Sequence, residues 1–346
     1  MTVTSLEQAP PSGVITTRQK LRRSPLVRFV AGRVFAGVVT LFALSLLVFL
    51  ACSVIPGDAA SQVLGKHASG EALEHMRALM GLDRPVWERY GAWMTGFLHG
   101  DLGNTVGGYS SGTEISVWSQ VKGPLNNSLV LGLVAFVPIV GVSLLFGTLS
   151  AVRSGKWVDQ LISVLTLVPA ALPEFVVGAL LIALCASWLD VLPAVSLIPP
   201  GQNPLLTPEL LVLPVLTLIA VTVGPASRMI RAGMVEALRS DWVLAARLNG
   251  VAERRVLTGY ALRNALAPSI QVFALIAQYL IGGLIVVEYL YGYPGIGKEL
   301  VEALAIRDSI EVQSVTMLLA IVVIATTVLA DLLVMLVVPK LRTEAA

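Results

Sequence analysis

Six stretches of the chain are each apolar over the length of a membrane-crossing helix: Val34–Val54, Leu125–Ala151, Leu161–Leu189, Leu205–Val223, Ala267–Val287 and Val315–Val338. A helix rises about 1.5 Å per residue, so about 20 residues cross about 30 Å of hydrocarbon. Inside that layer every backbone polar group must be satisfied within the segment, which makes blocks of this length helices. Composition agrees, with 55% of residues apolar and 13% charged. That is more apolar surface than a soluble domain of this size can hide. The expected fold class is an all-α polytopic membrane protein with six transmembrane helices.

Net charge is only +2, so bulk charge points to no partner and gives no sign of nucleic-acid binding. Its distribution carries the information. Arg18, Lys20, Arg22, Arg23, Arg28 and Arg33 precede the first block, Arg153 and Lys156 follow the second, and Arg228, Arg231, Arg239, Arg247, Arg254, Arg255 and Arg263 follow the fourth. Lys340 and Arg342 follow the sixth, while residues 190–208 hold no basic residue. The positive-inside rule then predicts both termini in the cytoplasm, residues 55–123 as a large extracytoplasmic segment and residues 228–266 as a cytoplasmic loop. Residues 1–32 and 343–346 are expected to be tails flanking a transmembrane domain over 33–342. Cys52 and Cys185 each fall in a block and read as packing residues.

The cytoplasmic loop holds the most specific motif. Asp241 to Pro268 contains Ala245-Ala246-x-x-x-Gly250, then Glu253-Arg254-Arg255-Val256-Leu257, then Ala261-Leu262-Arg263-Asn264-Ala265-Leu266-x-Pro268. This run resembles the coupling loop of ABC importer permeases of the dipeptide, oligopeptide and nickel branch. Pro56-Gly57-Asp58, Gly81-Leu82-Asp83-x-Pro85, Gly100-Asp101-Leu102-Gly103, Tyr293-Pro294-Gly295-Ile296-Gly297 and Arg307-Asp308 extend the likeness. The long segment before the second block is similar to the B-type member of the permease pair. Leu244, Ala245, Gly123 to Leu129 and Ser309-Ile310 depart from the branch pattern.

The resemblance implies a type I ABC importer fold with a cytoplasmic coupling helix, in a bacterial plasma membrane. It implies Asp241, Trp242, Ala245, Ala246, Arg247, Gly250, Glu253, Arg254 and Arg255 as the ATPase-coupling residues. It further implies a second homologous permease as heterodimer partner, two cytoplasmic ATPase subunits and an extracytoplasmic substrate-binding protein. ATP and magnesium would belong to the ATPases, leaving this chain with no cofactor, no metal and no catalytic residue. Peptides are the default cargo of such permeases, and nickel chelates, glutathione and sugar-linked compounds use similar ones.

Physical reading of the loop gives the same element. Ser240 or Asp241 can cap a helix over Trp242–Leu248, Asn249-Gly250 supplies a left-handed stop, and a second helix over Glu253–Leu266 leads to Pro268 in the first turn of the fifth span. Glu174, beside Pro173 in the third block, is a charge at mid-membrane depth; it either lines a pathway or bonds a neighbouring helix. Asp331 expects a structural partner, and Glu288, at the outer end of the fifth block, can reach water. Val86, Trp87, Tyr90, Trp93, Met94, Phe97 and Leu98 form an apolar stripe, either packed on the membrane domain or presented to a soluble partner. Gly292-x-x-x-x-Gly297-Lys298 fits a phosphate-binding loop superficially, but Glu299 stands where a hydroxyl is needed and no strand precedes it. His67, His75 and His99 lack metal-ligand spacing. The rival reading is an ion-gradient-driven secondary transporter, which would need embedded ionisable sites beyond Glu174 and Asp331.

Overall fold

A computed structural model of the protein describes residues 25–54, 60, 64, 70–111 and 113–337. Pro56-Gly57-Asp58, His67, Lys340 and Arg342 lie outside them. The helices are α1 (Pro25–Val54), α2 (Gly70–Leu79), α3 (Val86–Leu98), α4 (Val106–Ser111), α5 (Val117–Val152), α6 (Trp157–Ala170), α7 (Glu174–Leu181), α8 (Glu209–Leu238), α9 (Asp241–Leu248), α10 (Glu253–Arg255), α11 (Leu262–Tyr291), α12 (Ile296–Ala305) and α13 (Ser309–Val337). Wider π-type turns extend α7 over Ile182–Trp188 and join α10 to α11 over Val256–Ala261. Among the described residues β pairing is confined to one isolated bridge, Asn104 with Ser116.

Five helices are long and apolar enough to cross a membrane, and six if α6 with α7 counts as one bent span. The third apolar block is therefore not the straight span that hydropathy suggests. Its halves meet at 105°. Pro173 has no N–H to continue α6 and turns Leu172 away from helical angles, so the chain breaks between Ala170 and Glu174. Other elements outrun their apolar blocks. Helix α1 starts at Pro25, within the expected tail. Helix α5 starts at Val117, and α8 carries Arg228, Arg231 and Glu236 to Leu238, so the start of the expected cytoplasmic loop is helix.

Helix α8 is the hub, packed by α5, α11 and α6. Leu131 and Ile139 of α5, Leu213 and Leu218 of α8, Ile276 and Leu280 of α11, and Tyr291 make the main core. Lipid supplies no hydrophobic drive between helices, so close backbone approach matters. A Cβ at Gly147 would stand 2.8 Å from Ile230, and one at Gly224 would overlap the Thr166 carbonyl.

Charged residues fasten the periphery. Arg33 Nε of α1 meets Asp331 Oδ2 of α13 at 2.9 Å, the structural partner expected for Asp331. Between α6 and α8, Arg231 donates to both Asp159 oxygens, at 2.8 and 2.6 Å. Ser150 Oγ and Gly155 N add donors at 2.7 and 2.9 Å. Arg231→Ala would leave this buried carboxylate short of its main partner, at a cost of about 3 kcal/mol. Thermal melting of the purified protein in detergent should shift down clearly; an unchanged melt would contradict this account.

The aromatic stripe of α3 divides. Tyr90 and Trp93 pack on each other and on Phe49 of α1, and Phe97 packs on Trp93, with ring centroids 5.3 to 6.2 Å apart, and the Tyr90 hydroxyl pairs with Ser45 Oγ at 2.9 Å. Trp87 turns outward and is 66% exposed. Gly103 and Leu102 then seat on α13: Ser314 Oγ donates to Leu102 O at 2.8 Å, and a Cβ at Gly103 would meet Ile310 at 2.8 Å. Asp308 accepts from Val106 N at 2.6 Å and caps α13 through Glu311 N at 3.0 Å.

Candidate functional site

Helix α9 follows α8 after a two-residue turn at Arg239-Ser240. Ser240 occupies the cap position, but its hydroxyl donates back to Ala237 O at 2.6 Å and does not cap α9. The far end is the better defined. Gly250 has φ +76°, Gly250 N donates to Arg247 O at 3.0 Å and Val251 N to Ala246 O at 3.1 Å. These paired bonds are the Schellman stop, and Val251 packs on Val243, Ala246 and Val256 as that motif favours. Asn249 Nδ2 also donates to Ala245 O at 2.9 Å.

The chain then turns into α10, held by a two-pronged ion pair. Arg247 Nη2 meets Glu253 Oε1 at 2.6 Å and Arg247 Nε meets Oε2 at 3.1 Å. The guanidinium holds the Glu253 carboxyl below its ordinary range. Both partners are exposed, so the pair fixes the angle between α9 and α10 more than it adds stability. Asp241, Ala245, Arg254 and Arg255 are exposed as well.

One face of α9 is therefore anchored by Val243 and Ala246. The other presents Trp242, Leu244 and Leu248, which are 40, 55 and 79% exposed. The second helix of the loop is not the uniform one expected. It is α10, a π-type stretch and the start of α11, which continues without a break past Pro268. Pro268 thus lies inside α11 and not in its first turn.

Two carboxylates on the apolar helices α7 and α11 take different environments. Glu174 opens α7 behind Pro173 and is half-buried. A Cβ on Gly283 of α11 would lie 3.1 Å from its Oε1, and Tyr279 of α11 is its neighbour one turn away. Glu288 is fully buried, contrary to the water-reaching position expected of it. Its Oε1 accepts from Ser128 Oγ at 2.5 Å and its Oε2 from Gly297 N at 2.7 Å. Ser128 Oγ accepts in turn from Ile296 N at 2.8 Å. Asn127 Nδ2 donates to Pro294 O and Tyr293 Oη to Asn127 O, both at 2.8 Å.

The resemblance to a phosphate-binding loop is resolved by this clasp. Gly292, at φ +65°, stops α11, and the N-terminus of α12 holds the protein's own carboxylate where a phosphate loop would hold an anion. Asn127 and Ser128, which stand where the branch pattern differs, supply the opposing side.

The family described as the binding-protein-dependent transport system inner membrane component matches residues 143–343. Its companion family for the N-terminal part of such membrane components matches residues 26–127. The chain belongs to this permease family. A Brucella abortus (strain 2308) protein named for a peptide transport system permease is 31% identical over 312 residues, covering 90% of this chain and 98% of its own length. The glutathione transport system permease protein GsiC of Escherichia coli K12 is 29% identical over 317 residues, covering 92% and 99%. The permease is thus an inner-membrane, multi-pass subunit of a binding-protein-dependent ABC importer, working with ATPases and a binding protein. ATP hydrolysis belongs to separate subunits, and the secondary-transporter reading is not favoured.

Proposed function

We propose that this permease forms half of a translocation pathway for peptides or a related small solute. It pairs with a second, non-identical permease, and the pair docks two ATPases, with Asp241, Trp242, Ala245, Ala246, Arg247, Gly250, Glu253, Arg254 and Arg255 at this chain's coupling contact. The observation that carries this reading is α9 itself: a short helix, stopped sharply and braced by an ion pair, with an outward apolar face beside basic residues. Such a face fills a groove on a soluble partner and transmits displacement to α8 and α11. ATP-driven closure of the ATPases draws two such helices together and switches the spans between outward-facing and inward-facing states. The relatives named for peptide and glutathione transport support the solute class.

Both termini lie in the cytoplasm in this reading, residues 33–342 form the transmembrane domain, residues 55–123 and α12 lie outside, and residues 228–266 lie inside. The bent α6–α7 pair then crosses the membrane. Reporter fusions at Lys156, Gln202, Asn249 and Lys298 should report inside, outside, inside, outside. A Gln202 fusion on the same side as Lys156 would make the bent pair a re-entrant loop and defeat the topology. Affinity purification of the permease from its host should bring down one distinct permease and two ATPase copies. A homodimer transporting without ATPase would overturn the assembly.

Glu174 and Pro173 are proposed to stand on the pathway wall. The exposed faces of the spans support this. The exposed stripe of α6 is Leu161, Val164, Leu165 and Val168, suited to lipid. The exposed stripe of α11 instead carries Gln271, Leu275, Tyr279 and Tyr289, polar at intervals through its length and adjacent to Glu174.

A further inference from the structure

We propose that Glu174 is the counter-ion for an ammonium group on the solute as it passes the bend between α6 and α7. The inference rests on the peptide-import reading and names what the pathway recognises. Among the described residues, no cation lies within ion-pair distance of Glu174, unlike Asp159 with Arg231 and Asp331 with Arg33. An uncompensated carboxylate at membrane depth is costly, and one kept there is expected to face a cavity and meet a charge that comes and goes.

The local construction suits that role. The break at Pro173 puts Glu174 in the first turn of α7, where the positive end of the helix dipole suits an acidic side chain. Gly283 has no side chain to cover the carboxylate, and Leu218 closes the niche from α8. Tyr279, one turn from Gly283 on α11 and 50% exposed, lies beside the carboxylate. The site therefore offers one negative oxygen pair, one aromatic face and no competing cation. That combination receives a primary ammonium through charge-assisted hydrogen bonds and contact with the ring face.

The test uses the complete transporter in proteoliposomes with one binding protein throughout. Uptake of dialanine and of N-acetyl-dialanine is measured at concentrations saturating that binding protein and normalised to transporter number. Because the binding protein is common, its own preference cancels when variants are compared. For Glu174→Gln the free-to-acetylated uptake ratio should fall about tenfold, the scale of losing one charge-assisted bond, because the free peptide loses far more than the acetylated one. Glu174→Asp, which keeps the charge, should retain most of the preference. Equal ratios in wild type and Glu174→Gln, or an equal slowing of both peptides, would overturn the assignment while leaving the importer reading intact. An unchanged ratio with altered pH dependence would make Glu174 a proton acceptor and overturn it too. Failure of the wild type to import either peptide would instead overturn the substrate reading, and this inference with it.

Discussion

Replacing Gly250 with valine should abolish coupled transport while leaving the permease inserted and assembled. A Cβ at this position would meet nothing within 4 Å, so crowding is not the cause. The cause is the backbone. At φ +76° a β-branched residue pays about 1–2 kcal/mol or more, and relief comes only by abandoning the left-handed turn. The bonds from Gly250 N to Arg247 O and from Val251 N to Ala246 O are then lost, and the Arg247–Glu253 brace is misaimed. Uptake and substrate-stimulated ATP hydrolysis should fall together by at least about tenfold at equal membrane abundance, the scale of 1.4 kcal/mol. Gly250→Asn, which tolerates the left-handed region, should stay close to wild type. Normal uptake in the valine variant would show that α9 is not the coupling element.

Glu288→Ala should act in the opposite way, on abundance before transport. The change strands the Ser128 hydroxyl and the Gly297 and Lys298 N–H groups in a buried site. Each unsatisfied donor costs about 1–3 kcal/mol, so a total of about 3 kcal/mol or more is expected. Gly295→Ala should be comparably damaging, because its Cβ would overlap the Glu288 carboxylate. Membrane levels of both variants should drop sharply, and any residual protein should melt far below wild type. Wild-type abundance and melting in both would show that the clasp contributes little.

The contrast between these two sites also marks what local sequence reveals. Asn249-Gly250 is a stop that any reader of helix ends recognises, because the left-handed requirement is a property of one residue. The ion pair between Arg247 and Glu253 is six residues apart and nearly as local. The environment of Glu288 is not local. Its burial depends on residues 292–297 folding back over it and on Ser128 arriving from α5, 160 residues earlier. The glycines at 295 and 297 are the local trace, and without the partner the segment fits a phosphate-binding loop only superficially. Direction is equally invisible to hydropathy: the third block has the apolar length of a span, yet it turns by 105° at the break before Pro173. Helix ends are misjudged for a related reason. Helices α5 and α8 continue beyond their apolar blocks because hydrogen bonding and packing, not greasiness, decide where a helix stops.

The 30 residues of α11 form one rod about 45 Å long. At one end it grows directly out of α10 and the coupling segment; at the other it is gripped by the Glu288 clasp and stopped at Gly292. A rod held at its outer end is a lever with a fixed fulcrum. A tilt of about 5° about that fulcrum sweeps the inner end through about 4 Å over this length. If α9 docks on the ATPase as proposed, small displacements of it are therefore enough to re-angle the whole of α11. In the proposed topology, a disturbance arriving at the fulcrum from outside would travel the same beam inward, and the signals for loading and for hydrolysis would share one mechanical part.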